Sequence, residues 1–250
     1  MQAIRTIRVV IRLAASAVWF LLIAVMALPG MVVGRRGIRW NGRLSKLWGQ
    51  GLVRLLNIRI LGTEKVPADA GGLIVSNHQS YLDILVESAL FPVRFLPKRE
   101  ILFWPVLGWF LALNRPIWVN RKARLESGKV AAEIARSLEE GLSVLVYPEG
   151  TTSDGTSLLP FKSTAFDPAV RHGIPVRPVL LDYTPAADGY PIGWYGDMTL
   201  LPHLLHTLGS PGFEVRLQLL DPIPPQPGED RKLFANRVRQ TMLEHYHRSV

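Results

Sequence analysis

Residues 72–83 read Gly72-Leu73-Ile74-Val75-Ser76-Asn77-His78-Gln79-Ser80-Tyr81-Leu82-Asp83. An apolar run stops at Ser76, a polar turn follows, and apolar residues resume at helical spacing from position 81. A strand that feeds into a helix is the building unit of an α/β fold, and the alternation continues downstream. Strands are expected at 73–76, 93–96, 116–119, 143–147, 176–181 and 214–219, and helices at 81–90, 104–111, 125–140, 163–171 and 232–247. The fold class is therefore α/β, a largely parallel sheet flanked by helices. At 250 residues the chain has room for one large domain of this kind or two small ones.

The turn itself admits two readings. If Ser80 is an N-cap, Asp83 falls at N3 and the pair forms a capping box, which explains the aspartate without chemistry. His78 is not explained that way. A histidine just outside a helix N-terminus is disfavoured as a cation, and a neutral imidazole is what a general base requires. A carboxylate in the first helical turn that reaches back to it would fix its tautomer.

Upstream, charge and hydropathy separate the chain into two parts. Residues 1–63 hold ten Lys/Arg and no Asp/Glu, leaving 19 basic against 20 acidic residues in the rest, although the whole chain carries +9. The cations flank an uncharged run at 13–34, "LAASAVWFLLIAVMALPGMVVG", of the length a bilayer requires. Arg35-Arg36 directly after it, with no small-residue cleavage site, argue against a signal peptide. Residues 1–40 are expected to be a membrane-embedded anchor, either a single helix or a hairpin re-entering at Pro29-Gly30, with 41–250 as the second domain. Cationic flanks suit an anionic membrane surface. They do not suit nucleic acid, because they cluster around an apolar segment and not a folded groove. Residues 40–61 read as an amphipathic helix followed by a short strand.

Further candidates lie at strand ends. "VLVYPEGTTSDG" (144–155) runs from a strand into Glu149, Gly150, Thr151 and Thr152, a loop of backbone N–H and hydroxyl donors with one carboxylate acceptor. Arg121 and Lys122 close the strand at 116–119, and Arg121 suits bidentate phosphate binding. Lys98, in Lys98-Arg99-Glu100, precedes an apolar segment fit to line an acyl groove or simply to pack. His203 and His206 share a helix face, but no carboxylate or cysteine stands near them in sequence to complete a metal site. The chain has no cysteine, no P-loop lysine motif, no dinucleotide glycine pattern and no serine elbow.

Taken in order, these blocks resemble the glycerolipid acyltransferase family, of the bacterial 1-acyl-sn-glycerol-3-phosphate acyltransferase type. The family's N-H-x-x-x-x-D, arginine-ended strand, F-P-E-G-T-R-S and V-P-x-x-P-V blocks are similar to residues 77–83, 117–121, 147–153 and 174–179, and Lys98 with Glu100 looks like its K-x-E element. The resemblance spans about residues 60–182. It implies acyl transfer from an acyl-CoA or acyl carrier protein thioester to the free hydroxyl of a lysolipid, most simply 1-acyl-sn-glycerol-3-phosphate. It further implies that His78 is the base, that Asp83 orients it, and that Arg121, Glu149, Gly150, Thr151 and Thr152 hold the acceptor head, with Lys98 or backbone N–H groups at the oxyanion. No metal and no resident cofactor is implied. The implied setting is the cytoplasmic membrane with the active site on its inner face. Thr152 departs from the pattern, which has arginine there. One phosphate-binding cation is missing, and a lyso-ornithine lipid becomes a second acceptor. A non-catalytic lipid-binding scaffold would have no need of the histidine–aspartate pair.

Overall fold

The computed structural model describes residues 2–66, 72–97, 112, 114–117, 127–186 and 188–246. Its first element, α1 (Gln2–Val32), is long and apolar enough to cross a membrane, with a mean hydropathy of 2.4 over its most apolar window. Ile4, Ile7, Ile11, Val18, Leu21, Val25 and Leu28 all face outward along it. Pro29 lies inside this helix, so the chain does not reverse at Pro29-Gly30. It turns at Val33, and α2 (Gly34–Leu55) packs back along α1, crossing residue 40 without a break. Indole N–H groups fasten the pair: Trp19 donates to the Trp48 carbonyl at 3.2 Å and Trp40 to the Met26 carbonyl at 2.8 Å.

The remaining elements alternate as their apolar spacing requires. They are β1 (Ile58–Leu61), β2 (Gly72–Ser76), α3 (Leu82–Leu90), β3 (Val93–Phe95), α4 (Ser127–Glu139), β4 (Ser143–Val146), α5 (Asp167–His172), β5 (Val176–Tyr183), α6 (Leu200–Gly209), β6 (Phe213–Leu219) and α7 (Arg231–Tyr246). The strands form one sheet in the order β1-β6-β5-β2-β4-β3, parallel throughout except for the β5–β6 pair. Helix α6 was not expected from the sequence. The expected helix at 104–111 and the second half of the strand expected at 116–119 lie outside the described residues; Ile117 N–H donates to the Phe95 carbonyl at 2.9 Å.

Alternation along the central strands divides the core in two. Ile74, Leu145, Val179 and Leu181 face α1, α2, α3 and α6. Leu73, Val75, Val144 and Val146 face α4, α5 and α7. A sheet covered on both faces is buried on both, and β2 and β4 accordingly read as unbroken apolar runs. Helix α2 packs closely against α3. A Cβ on Gly49 would come within 2.5 Å of the Ala89 backbone nitrogen, so only glycine permits this approach. The N-terminal hairpin is thus packed directly against α3, and the carboxyl ends of β2 and β4, where ligands bind in α/β sheets, open beside it.

Candidate active site

The turn from Asn77 to Tyr81 leaves the carboxyl end of β2 and enters α3, and side chains from across the molecule hold it. Asn77 continues the sheet by one rung. Its amide donates to the Leu181 carbonyl at 2.9 Å and accepts the Leu181 N–H at 2.8 Å. His78 N–H donates to Glu149 Oε1 at 2.8 Å, and the His78 carbonyl accepts Ser153 N–H at 2.8 Å. The Gln79 carbonyl accepts Trp194 N–H at 2.8 Å, and the Gln79 amide donates to Leu181 O at 2.7 Å. A turn built from so many long-range bonds keeps its shape without substrate, which is the condition for a preorganised site.

Asp83 is the centre of this network. It is fully buried, and its carboxylate accepts Gln79 N–H at 2.8 Å, Ser80 N–H at 3.0 Å and the Tyr183 hydroxyl at 2.7 Å. Its Oδ2 also lies 2.7 Å from His78 Nδ1. The capping box expected from Ser80 is only half formed. The N-cap is Tyr81, with no side-chain cap bond, and Asp83 N–H bonds to the Ser80 carbonyl. The aspartate still reaches back to the Ser80 N–H, so it closes the helix start and faces the histidine at once. A buried carboxylate without partners would be strongly disfavoured, and these four bonds offset that cost.

The geometry selects one tautomer of His78. An ionised carboxylate can only accept, so Nδ1 carries the proton and Nε2 is left as the basic nitrogen. Among the described residues nothing bonds Nε2, and the side chain is 18% exposed where Asp83 is 0%. The imidazole lies flat on the Tyr147 ring, with centroids 4.0 Å apart and planes 11° apart.

The other expected site residues divide. Glu149 is buried, and its second oxygen accepts Leu159 N–H at 2.9 Å, so both oxygens are committed to backbone donors. Burial pushes its carboxyl up, against the pull of those two N–H groups and the nearby His78. In this arrangement Glu149 ties two loops together and does not stand open as an acceptor for a substrate hydroxyl. Gly150 takes a φ of 74°, a conformation that lets the chain turn sharply after Glu149. Thr151 is exposed and Thr152 half-buried on the rim of the same loop, whose Ser153 bonds the His78 carbonyl. Lys98 and Arg121, with Lys122, lie outside the described residues.

The segment before and within α6 braces the same turn. Trp194 N–H bonds the Gln79 carbonyl, and its ring meets Tyr81 edge-on at 6.1 Å. His203 is buried with Nε2 3.2 Å and 3.1 Å from the carbonyls of Pro191 and Gly193, so Nε2 carries its proton and Nδ1 accepts the Tyr81 hydroxyl at 3.0 Å. Burial lowers its pKa, consistent with a neutral structural histidine. His206 does meet a carboxylate, Asp188, at 3.2 Å, a neighbour that sequence order concealed. Even so, no group of three or more metal-binding side chains occurs among the described residues. Asn77, Tyr147, Tyr183 and Glu87 were missed by sequence reasoning. Tyr183 stands 100 positions from Asp83 and two beyond the strand expected at 176–181, so no local signal marked it.

A doubly covered α/β sheet holds a buried aspartate behind a partly exposed histidine at the mouth of its central strand, an arrangement suited to general-base chemistry. A family model described as Acyltransferase matches residues 57–182, and the chain belongs to that family. A lyso-ornithine lipid O-acyltransferase of Brucella abortus is 35% identical over 219 residues, covering 80% of this chain and 82% of that protein. The 1-acyl-sn-glycerol-3-phosphate acyltransferase alpha of Homo sapiens is 31% identical over 232 residues, covering 90% of this chain and 76% of its own. The crystal structure of the 1-acyl-sn-glycerophosphate (LPA) acyltransferase PlsC from Thermotoga maritima shares the fold, with a TM-score of 0.64 at 21% identity, over 96% of this chain and 97% of that one. The sequence reading of an α/β acyltransferase fold with an apolar N-terminal helix is borne out.

Proposed function

We propose that this acyltransferase moves a fatty acyl chain from a thioester to the free hydroxyl of a lysolipid, with His78 as the base. The observation that carries the reading is the 2.7 Å contact between His78 Nδ1 and the buried Asp83, which leaves Nε2 free to accept a proton. The acceptor hydroxyl gives its proton to Nε2 while its oxygen attacks the thioester carbonyl carbon. Collapse of the tetrahedral intermediate re-forms the carbonyl and breaks the carbon–sulfur bond, and the imidazolium returns the proton to the leaving thiolate. The products are an ester and a free thiol, so no redox partner enters. The donor is acyl-CoA or acyl carrier protein, and the steps draw on no metal or resident cofactor. Asp83 holds the tautomer and stabilises the transient imidazolium. Glu149 supports His78 from below, and the loop carrying Gly150, Thr151 and Thr152, with Lys98 and Arg121, receives the head group. On this reading the apolar helix α1 anchors the enzyme in the cytoplasmic membrane with the site on the inner face, where both lysolipid and product reside, and its length and outward apolar side chains support that.

Lysophosphatidate is the acceptor to which the order of the sequence blocks points. A specific observation favours a second. Thr152 supplies a hydroxyl where the family pattern supplies a phosphate-binding arginine, and relatives from three bacteria carry the name lyso-ornithine lipid O-acyltransferase at 35%, 34% and 30% identity. The two are separated by assaying the purified full chain in mixed micelles with acyl thioester and each lysolipid in turn. His78→Ala is expected to lower product formation about a thousand-fold on the true acceptor. Equal turnover by wild type and His78→Ala on both acceptors sinks the assignment. Product from lyso-ornithine lipid alone identifies the acceptor as the non-phosphate head group.

A further inference from the structure

Glu87 is a buried carboxyl for which the mechanism above has no use. It lies one turn beyond Asp83 on α3 and is fully inaccessible to solvent. Its Oε2 accepts the Tyr147 hydroxyl at 2.5 Å. Burial pushes the Glu87 carboxyl up to about 8, so near neutrality it is held mostly uncharged in the core. A polar pair of this kind costs more to bury than two apolar side chains of the same size unless it fixes something. What it fixes is visible on the other side of the phenol, where the ring lies against His78 at 4.0 Å and 11°.

The bond from Asp83 holds the imidazole at one corner only and leaves its plane free to tilt about that point. The Tyr147 face removes the tilt. Together the two contacts define the line along which Nε2 points, and catalytic groups must be held within about 10–20° of their productive direction. The electron-rich ring also favours the imidazolium that forms once the proton has moved. Other groups around the turn act elsewhere. Glu149 and Ser153 grip the backbone of His78, and Tyr183 grips Asp83.

We propose that Glu87 and Tyr147 form a positioning pair for His78, in which the core carboxyl anchors the phenol and the phenol ring sets the plane of the catalytic imidazole. This rests on His78 being the base.

The test is a steady-state comparison of the full chain in mixed micelles, with lysophosphatidate and lyso-ornithine lipid as acceptors. The variants are Tyr147→Leu, Tyr147→Phe, Glu87→Gln, Glu87→Leu and the double Tyr147→Phe/Glu87→Leu, each normalised to folded protein. Tyr147→Leu is expected to lower kcat about ten- to a hundred-fold, the scale of a misplaced catalytic group, while both KM values stay within about two-fold. Glu87→Gln keeps an oxygen for the phenol and should restore most of the rate that Glu87→Leu loses. Tyr147→Phe and Glu87→Leu should each lower kcat, and the double variant should lose no more than either. The pair is overturned by a Tyr147→Leu kcat within three-fold of wild type, by losses that multiply in the double variant, or by Glu87→Gln behaving like Glu87→Leu. If Tyr147→Leu does not fold, the Phe, Gln and Leu comparison still decides. An inactive His78→Ala beside unaffected Tyr147 variants removes only the positioning pair, whereas an active His78→Ala removes the base assignment beneath it.

Discussion

Along α1 apolar side chains face outward, and Arg12 turns inward, buried, to donate to the carbonyls of Leu56, Leu208 and Ser210 at 3.2, 3.1 and 2.7 Å. Around the catalytic turn the arrangement is the reverse at the surface and similar at depth. The apolar residues of β2 and α3 are covered, the reactive imidazole edge is open, and the buried charge of Asp83 is surrounded by donors. Both regions bury a charged group and satisfy it from distant parts of the chain, but to different ends. Arg12 joins α1 to carbonyls at the C-terminal ends of α2 and α6, so its network is a fastening. Asp83 is placed behind the nitrogen that takes up and releases a proton in the proposed mechanism, so on that reading its network is a support for chemistry. Substitutions in the two regions should therefore fail in different ways.

The largest separation is expected from Asp83→Asn. An amide can donate its hydrogen to Nδ1 and so favour the wrong tautomer, and kcat should fall about 10³- to 10⁴-fold with near-normal lysolipid affinity. Retention of more than a tenth of the wild-type kcat would break the contrast, because Asp83 would then be only a fastening too. Next in size is Arg12→Met, which strips three carbonyls of their donor. Unfolding in detergent should become easier by about 2–4 kcal/mol, while kcat per folded molecule stays unchanged. A loss of kcat beyond the folded fraction would show that the hairpin serves the chemistry directly.

A third effect concerns Glu87 and pH. Its carboxyl is raised in the folded chain above its unfolded value near 4.5, up to about 8. Between those values the folded state binds more protons than the unfolded one, so stability contributed by the protonated group is complete below about 4.5 and is lost as pH rises toward 8. The slope is at most about 1.4 kcal/mol per pH unit. Glu87→Gln, which cannot ionise, should flatten that part of the wild-type stability curve when thermal midpoints are followed from pH 5 to 8. An unchanged slope would mean that the buried carboxyl does not titrate in that window.

What the sequence shows of this molecule follows from how far apart the interacting parts lie along the chain. The strand–turn–helix at 72–90 is legible because its apolar spacing is local, and His78 and Asp83 are legible because they fall within one turn. The apolar run and its cationic flanks are legible because they are local, but of the two forms expected, a single helix or a hairpin turning at Pro29-Gly30, the second does not occur. A proline near the end of a helix buried against a neighbour does not have to break it, and the chain turns at Val33 instead. Helix α6 was missed because its sequence, "LLPHLLHTLG", carries a proline and two histidines in place of a clean polar face. The partners that complete the site, Tyr183, Glu149 and the Glu87–Tyr147 bond, are joined across 100, 71 and 60 positions. No local pattern can announce a bond of that span. Glu149 was found only as a member of a motif, and its committed oxygens became visible only in the fold.

Asn77 adds one rung to the sheet beyond the end of β2, and that rung makes the active site observable from outside it. The Leu181 amide hydrogen is held by the Asn77 side chain, so its exchange with solvent deuterium reports on a side-chain contact at the foot of the turn that carries His78. Loosening of the turn, by a substitution or by the arrival of substrate, would appear first as faster labelling at that single position. A spectroscopist could then watch the footing of His78 without attaching a probe to the site.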